Sequence, residues 1–224
     1  MSPGRITPLP SLARISAVAA LALVSILLAA CAGSRPAPAG GTTTPTGSTL
    51  ATRPLPGIPL GGKMAPNFDL VDQFGRRHHL SDFRGKVVLL TFIDSDCTTI
   101  CPITGALLRR TQDLLGQEAS RMQLLAVNVN PQHTRVEDVL GWSQDHQMTH
   151  RWLFLTGPAS QLRAVWRSYG IDTKMVHGDV EHTAMVFGID PGGQEQTAFP
   201  IATKSGIASE ASSLAQVVRA LFTR

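Results

Sequence analysis

The sequence predicts an α/β fold built around a buried parallel strand. Residues 87–93 form an apolar run that is too short for a free-standing helix and is typical of a strand covered on both faces. Apolar side chains at helical spacing follow it, at Ile103, Leu107 and Leu108. A second buried strand is predicted at 122–129. A strand, a crossover helix and a second strand make a right-handed parallel unit, so this segment predicts the centre of a sheet.

The elements on either side of this unit complete the predicted fold. A β-hairpin is predicted before it, with arms at 64–70 and 77–80 and a turn at 73–75. The later elements are predicted as a helix from Thr134, a strand at 152–155, a helix at 162–169, strands at 183–189 and 196–199 around a turn at 190–193, and a last helix ending near Leu221. This order matches a thioredoxin-like α/β sandwich with an N-terminal β-hairpin and an extra strand and helix inserted.

The first thirty residues have the layout of an export signal. They carry Arg5 and Arg14, no acidic residue, and an apolar stretch at 15–28 that is short for a membrane span. Small residues then precede Cys31, as in the lipobox of bacterial lipoproteins, whose cysteine is lipidated. We therefore predict a lipoprotein signal peptide at 1–30 and a lipid anchor at Cys31, with the domain on the extracytoplasmic side of a bacterial cell envelope. An ordinary signal peptide with an incidental cysteine is the alternative.

The segment at 31–62 is predicted to be a flexible tether, because Pro, Thr, Gly, Ser and Ala dominate it and offer little surface to bury. The folded domain is then predicted at 63–224, which is long enough for one core. The chain has a net charge of +4, and removal of 1–30 takes away two Arg and no acid, leaving +2 and no basic run. That balance argues against a nucleic-acid partner. With Cys31 assigned to the anchor, one close pair of cysteines remains, which is not the framework of a disulfide-stapled scaffold.

Cys97 and Cys101 follow the buried strand directly. A helix is predicted to start near Cys101 with Pro102 in its first turn, so both thiols lie at a strand-to-helix turn. Unpaired N–H groups and the positive end of the helix dipole favour an anionic sulfur there, and a spacing of four can turn both sulfurs to one side. Asp94 and Asp96 are expected to disfavour a free thiolate at Cys97 and to suit a bound cation. Asp96 could equally serve as the N-cap of the helix.

Three motifs together resemble the Sco (SenC) family over about residues 61–222. They are the strand Gly85-Lys86-Val87-Val88-Leu89-Leu90-Thr91-Phe92, the Cys97-x-x-x-Cys101-Pro102 pair, and His182 followed by Asp190-Pro191-Gly192-Gly193. Members of that family are membrane-tethered thioredoxin-like proteins that bind copper and help assemble the copper centre of cytochrome c oxidase. The resemblance implies copper as the bound metal, Cys97, Cys101 and His182 as its ligands, and the copper-site subunit of cytochrome c oxidase as a partner.

The ligand chemistry agrees with this resemblance. Two thiolates and an imidazole form a soft, three-coordinate set that suits Cu(I) and is one ligand short of a closed zinc site. The chain departs from the family at Asn130 and Glu181, where the family usually has Asp. The change at Glu181 keeps a carboxylate near the site but leaves the orientation of the His182 ring open. Without the resemblance, His182 would be interpreted as a structural histidine. His177 is its nearest rival and could lie in an outer shell. Three methionines are interpreted as packing residues: Met148, Met175 and Met185.

We therefore predict a metallochaperone rather than an enzyme. Reduced Cys97 and Cys101 with neutral His182 would capture Cu(I) and pass it by ligand exchange to an apo-copper site. A disulfide between the cysteines would abolish binding, so the protein would need a thiol reductant in its compartment. The alternative is a thiol–disulfide oxidoreductase in which Cys97 attacks and Cys101 resolves. Such reductases normally have C-x-x-C and a Pro before the strand facing the thiols. The spacing here is longer and no Pro precedes 183–189, so both departures favour metal binding.

Overall fold

The residues described by a computed structural model, 55–177, 179–201 and 206–224, form ten strands and four α-helices. The strands are β1 (Ile58–Met64), β2 (Asp69–Val71), β3 (Arg77–His79), β4 (Val87–Ile93), β5 (Met122–Asn128), β6 (Leu153–Leu155), β7 (Thr173–Val176), β8 (Asp179–His182), β9 (Met185–Ile189) and β10 (Gln194–Pro200). The helices are α1 (Ile100–Leu115), α2 (Val136–Asp145), α3 (Ala159–Ser168) and α4 (Ile207–Leu221), with short 3-10 helices at Leu80–Phe83 and Gly116–Arg121. The predicted signal peptide, Cys31 and the tether up to residue 54 lie outside the described residues. Within the described ranges, no helix has both the length and the apolar character needed to cross a membrane.

A six-stranded sheet in the order β1-β10-β9-β4-β5-β6 forms the centre of the fold. The strand β4 pairs in parallel with β5 and antiparallel with β9, so both of its edges are hydrogen-bonded within the sheet. The strand β6 extends the sheet in parallel beyond β5, and β10 and β1 extend it antiparallel beyond β9. The predicted parallel unit β4-α1-β5 and the returning strands β9 and β10 are therefore present.

Alternate residues of β4 enter two separate hydrophobic cores, because successive side chains of a strand point to opposite faces. Val87, Leu89 and Ile93 pack in the core that contains the apolar faces of α1, α2 and α4. Val88, Leu90 and Phe92 pack in the core that contains α3 and the first hairpin, β2–β3. All seven residues of β4 are buried, as the apolar run predicted. The predicted α/β sandwich with an N-terminal β-hairpin is confirmed.

The folded part of the chain starts before residue 63, the predicted boundary. The strand β1 contains 58–62, which were predicted as tether, and it pairs with β10 from Ile58 opposite Ala198 to Met64 opposite Gln194. The sequence did not predict β1 because two glycines interrupt it. Gly61 and Gly62 adopt positive φ angles of 77° and 71°, and the pairing with β10 becomes irregular there. Such interruptions are tolerated in an edge strand, which has one free side.

A second hairpin, β7–β8, was not predicted, and it carries the candidate ligand His182. The strand predicted at 183–189 begins only at Met185, and His182 is instead the last residue of β8, opposite Thr173. The hairpin forms a two-stranded sheet of its own, separate from the six-stranded sheet. Its strands are rich in charged and polar residues and show no apolar alternation, so the sequence pattern did not reveal them.

The turn of the first hairpin is attached to the edge of the sheet by a buried glutamine. The Gln73 side chain is fully buried, and its Nε2 donates to the carbonyl oxygens of Thr149 and Trp152, each at 3.0 Å. Its Oε1 accepts the backbone N–H of Phe154 at 2.7 Å. The side chain thus satisfies one backbone N–H of the edge strand β6 and two carbonyl oxygens in the segment that leads into it.

We expect Gln73→Ala to lower the free energy of unfolding by about 2–4 kcal/mol, because it removes three hydrogen bonds and leaves buried backbone groups without partners. Chemical denaturation followed by circular dichroism measures the change. Gln117→Ala is the matched control, since Gln117 is exposed in a short 3-10 helix. Equal stabilities of the two variants would contradict the attachment.

Candidate metal centre

A buried carboxylate fixes the turn that carries the thiols. Asp94 follows β4 directly and is only 3% exposed. Its Oδ1 accepts the backbone N–H of Asp96 and the Nδ2–H of Asn130, both at 2.8 Å. Its backbone oxygen accepts the N–H of Cys97 at 3.2 Å. The ends of β4 and β5 and the first thiol are therefore held in one hydrogen-bonded network.

The helix α1 begins at Ile100, one residue before Cys101. Thr99 occupies the N-cap position but its side chain does not cap the helix, so the suggested N-cap role of Asp96 is wrong. The Thr99 hydroxyl instead lies 3.5 Å from the Cys97 sulfur. Cys97 is half-buried, whereas Cys101, in the first turn of α1, is 1% exposed. The two thiols thus differ in their access to solvent.

His182 approaches the buried thiol from the second hairpin. Its Nε2 lies 4.0 Å from the Cys101 sulfur, and its Nδ1 lies 3.1 Å from the backbone oxygen of Thr183. A carbonyl oxygen only accepts hydrogen bonds, so in the neutral ring Nδ1 carries the proton and Nε2 keeps the lone pair that faces the thiol. Burial lowers the pKa of His182 below its usual value, which favours the neutral ring.

The distance between Cys101 and His182 is compatible with a shared metal ion. Metal–sulfur and metal–imidazole bonds are about 2.3 Å and about 2.0 Å long in zinc sites, so two ligands of one ion lie at most about 4.3 Å apart. The Cys101 Sγ–His182 Nε2 separation of 4.0 Å falls within that limit. The described residues nevertheless contain no group of three His, Cys, Asp or Glu side chains already arranged around one point. Enclosing an ion between both sulfurs and the ring would therefore require an adjustment of the turn or the hairpin.

A cavity of about 650 Å³ opens beside Cys97 and is lined by other residues considered for the site. It is lined by Cys97 and His182 together with Asp94, His177 and Glu181. His177 lines the same cavity and is exposed at the tip of the hairpin, where its backbone has a positive φ of 52°. Glu181 is exposed, and the Thr183 carbonyl rather than this carboxylate orients the His182 ring. The departure from the family at Glu181 therefore does not determine the orientation of the ring.

The two thiols share one proton unequally. The Cys101 thiol, followed by the hydroxyl and backbone of Thr99, donates hydrogen bonds that lower the pKa of Cys97 to about 4 against the opposing effect of its partial burial. The neighbouring Cys97 thiolate, followed by burial, raises the pKa of Cys101 far above its ordinary value. The expectation that Asp94 and Asp96 would disfavour a thiolate at Cys97 is therefore wrong, because hydrogen bonds to the sulfur determine the lowered pKa.

Several residues that support the site were not identified from the sequence. The Trp142 indole donates to the backbone oxygen of Cys97 at 3.3 Å, and no local pattern linked α2 to the thiol turn. Asn130 was noted only as a departure from the family, yet its amide joins the two strand ends. Of the methionines interpreted as packing residues, Met148 is fully buried, but Met175 is 41% exposed and that interpretation is wrong for it.

We expect Cys97 to react with iodoacetamide as a thiolate at neutral pH, with the rate falling only as the pH drops through about 4, because its pKa is lowered to about 4. Ordinary thiols titrate near pH 8.5. Mass spectrometry of the alkylated protein distinguishes Cys97 from the slower, buried Cys101. Thr99→Val removes a hydrogen-bond donor and is expected to raise this pKa. Thr98→Val, at the exposed neighbouring position, is the control. A midpoint near 8.5 in the unaltered protein, or equal midpoints in the two variants, would contradict the hydrogen-bonding account.

Comparisons with known proteins connect this site to one family. The SCO1/SenC family model matches residues 59–219. The mitochondrial SCO2 homolog of Bos taurus is 32% identical over 135 residues, which cover 57% of this chain and 50% of that protein. The chain spans about half the length of the curated relatives it matches.

Two solved structures have a similar fold. ScoI of Arabidopsis thaliana, solved with copper bound, has a TM-score of 0.61 at 19% identity and covers 70% of this chain and 98% of its own. BsSco, described as having a disulfide switch and as a member of the Sco family of cytochrome c oxidase assembly proteins, has a TM-score of 0.55 at 22% identity and covers 71% and 96%. These likenesses confirm the thioredoxin-like fold. Because the family model covers well over half of the chain, including both cysteines of the turn and His182, the chain belongs to the SCO1/SenC family.

Proposed function

We propose that this protein binds copper as Cu(I) through Cys97, Cys101 and His182 and delivers it to the copper centre of cytochrome c oxidase. The observation that carries the proposal is the 4.0 Å approach of His182 Nε2 to the Cys101 sulfur in the cavity that Cys97 also lines. Membership of the SCO1/SenC family supports it, as do the copper-bound structure of ScoI and the description of BsSco as an assembly protein.

The protonation states of the three side chains suit a soft monovalent ion. The lowered pKa of Cys97 makes one thiolate available before metal arrives, and His182 is neutral with Nε2 unprotonated. Cys101 keeps its proton until a cation replaces it, so binding releases a proton from this thiol. Thiolates and imidazole together favour Cu(I) over hard cations. The exposed side of the cavity lets a partner approach the ion, so transfer by ligand exchange needs no catalytic group.

A thiol–disulfide oxidoreductase is the second candidate, and the unequal thiols favour it. A half-buried thiolate next to a buried thiol is the arrangement in which Cys97 attacks a disulfide and Cys101 resolves the mixed disulfide. The description of BsSco as having a disulfide switch gives the same pair a redox role in a related protein. For the carrier, the same reactivity means that a thiol reductant in the compartment must keep the pair reduced.

We expect the chain without its signal peptide, carrying Cys31→Ser, to bind one Cu(I) under anaerobic reducing conditions. Loss of an outer-shell partner already weakens metal sites 10- to 100-fold, so loss of the ligand in His182→Ala is expected to weaken binding by at least about tenfold. Cys97→Ser and Cys101→Ser are expected to abolish tight binding, because a hydroxyl is a poor ligand for a soft ion. Competition titration against a Cu(I) chelator measures each affinity.

His150→Ala is the control for this titration, because His150 is exposed and stacks on Phe74, away from the cavity. Unchanged affinity in His182→Ala would remove the third ligand. Turnover of a disulfide substrate by metal-free protein, together with weak Cu(I) binding, would favour the oxidoreductase.

We propose in addition that Cys31 carries a lipid anchor and that residues 31–54 connect it to the folded domain on the extracytoplasmic side of a bacterial envelope. The signal layout and the small residues before Cys31 support this arrangement. Expression in a bacterium should yield a membrane-bound protein whose mass shows a lipidated N-terminal Cys31. Cys31→Ala should release it from the membrane fraction, while Cys97→Ser should not. An unmodified N-terminus at another residue would contradict the anchor.

A further inference from the structure

An exposed methionine lies on the hairpin that carries His182. Met175 in β7 is 41% exposed, although methionine is normally among the buried residue types. Val180, which lies directly opposite Met175 and on the same face of the hairpin, lines the cavity next to Cys97. Met175 is not itself among the residues that line this cavity, so its exposed side chain lies next to the candidate metal centre rather than inside it.

The pairing of β7 with β8 places Met175 on the same face of the hairpin as His182. Met175 lies directly opposite Val180, and Thr173 lies directly opposite His182. Directly opposed residues share a face, and residues two apart along a strand share it too. Met175 and His182 are thus diagonal neighbours, with Cα atoms about 7–8 Å apart in such pairs. The three rotatable bonds of methionine allow its sulfur to move toward the imidazole.

We propose that Met175 is a relay ligand that takes Cu(I) from His182 and presents it to solvent or to an acceptor. This inference rests on the proposed copper function. In the relay step a Cu–S bond to Met175 forms as the Cu–Nε2 bond to His182 breaks, and copper stays in the +1 state. Imidazole and thioether are both neutral ligands, so the step moves no proton. Displacing Cys101, in contrast, requires reprotonation of its sulfur.

Chemistry favours a ligand role over packing or docking. Thioether sulfur binds Cu(I) and is a poor ligand for hard cations, so an exposed thioether beside a soft metal centre adds a donor of matching preference. Met148 shows the packing alternative, since it is completely buried in the core beneath α2. An apolar docking residue would need only hydrophobic surface, which leucine supplies equally well. Replacing sulfur by carbon at constant size therefore separates the two roles.

The test compares Met175→Leu with Met64→Leu in the chain without its signal peptide, both carrying Cys31→Ser. Met64 is 56% exposed and is the last residue of β1, where it pairs with Gln194. It therefore matches Met175 in chemistry and in degree of exposure. After loading with Cu(I), release to a soluble chelator is followed by stopped-flow absorbance. We expect Met175→Leu to slow release about tenfold, equivalent to about 1.4 kcal/mol in the barrier, and Met64→Leu to leave it unchanged. A small chelator has no surface to dock, so a docking role would leave the rate unchanged.

A second measurement needs no variant. In protein labelled with ¹³C at the methionine methyl groups, Ag(I) is added as a redox-inert probe with the same preference for soft ligands. We expect the Met175 resonance to shift once the tight site is filled and the Met64 resonance to stay in place.

The outcomes separate the two proposals. Tight Cu(I) binding with an unshifted Met175 resonance and equal release rates in both variants would overturn the relay and leave the copper function standing. Absence of Cu(I) binding by the unaltered cysteine pair would overturn both.

Discussion

Burial of β4 on both faces and along both edges is the constraint on which the site depends. Its pairing with β5 and β9 leaves no free edge, and a slip of one residue would exchange the side chains that enter the two cores. The end of the strand is therefore fixed in space. Asp94, the first polar residue after it, is fixed with it, and the Asp94 carboxylate in turn binds the thiol turn and Asn130. Packing in the sheet thus determines where the sulfurs lie.

The histidine of the candidate site is positioned by a different part of the fold. His182 lies on a hairpin that joins no strand of the six-stranded sheet. A two-stranded hairpin is marginally stable alone, so its position depends on contacts with the rest of the domain. A carrier must hold its ion and also release it. In the proposed carrier, Cys97 and Cys101 on a rigid turn and His182 on a separate hairpin would provide both properties, because His182 could leave the ion without disturbing the thiols.

The proton shared by the two sulfurs links the candidate functions. A thiolate at Cys97 beside a protonated Cys101 is the starting state for disulfide exchange, and the proposed metal binding would begin from the same state by displacing the remaining proton. The hydrogen bonds that lower the pKa of Cys97 come from Cys101 and Thr99, both close in sequence. The presence of His182, with its unprotonated Nε2 facing Cys101, is the feature that an oxidoreductase does not require and that a metal carrier does.

Much of the fold and part of the site could be predicted from the sequence. The unit β4-α1-β5, the first hairpin and the position of both cysteines at the head of α1 depend on apolar runs, helical spacing and a four-residue separation, which are all local patterns. Residues 58–62 of β1 and the hairpin β7–β8 could not be predicted, because β1 is an edge strand interrupted by glycines and the hairpin strands show no regular apolar alternation. The prediction that Met175 is a packing residue was wrong because its exposure depends on the hairpin β7–β8, which was not predicted.

The sequence by itself determined which chemical groups are available. These are a pair of thiols at a strand-to-helix turn and, through the resemblance to a family, the distant His182. Only the tertiary structure decided how those groups meet. Cys101 and His182 are 81 residues apart in the chain, and hairpin pairing together with a backbone carbonyl brings the ring to the sulfur and orients it. Contacts over such a separation depend on the packing of the whole domain, which no local pattern of residues specifies.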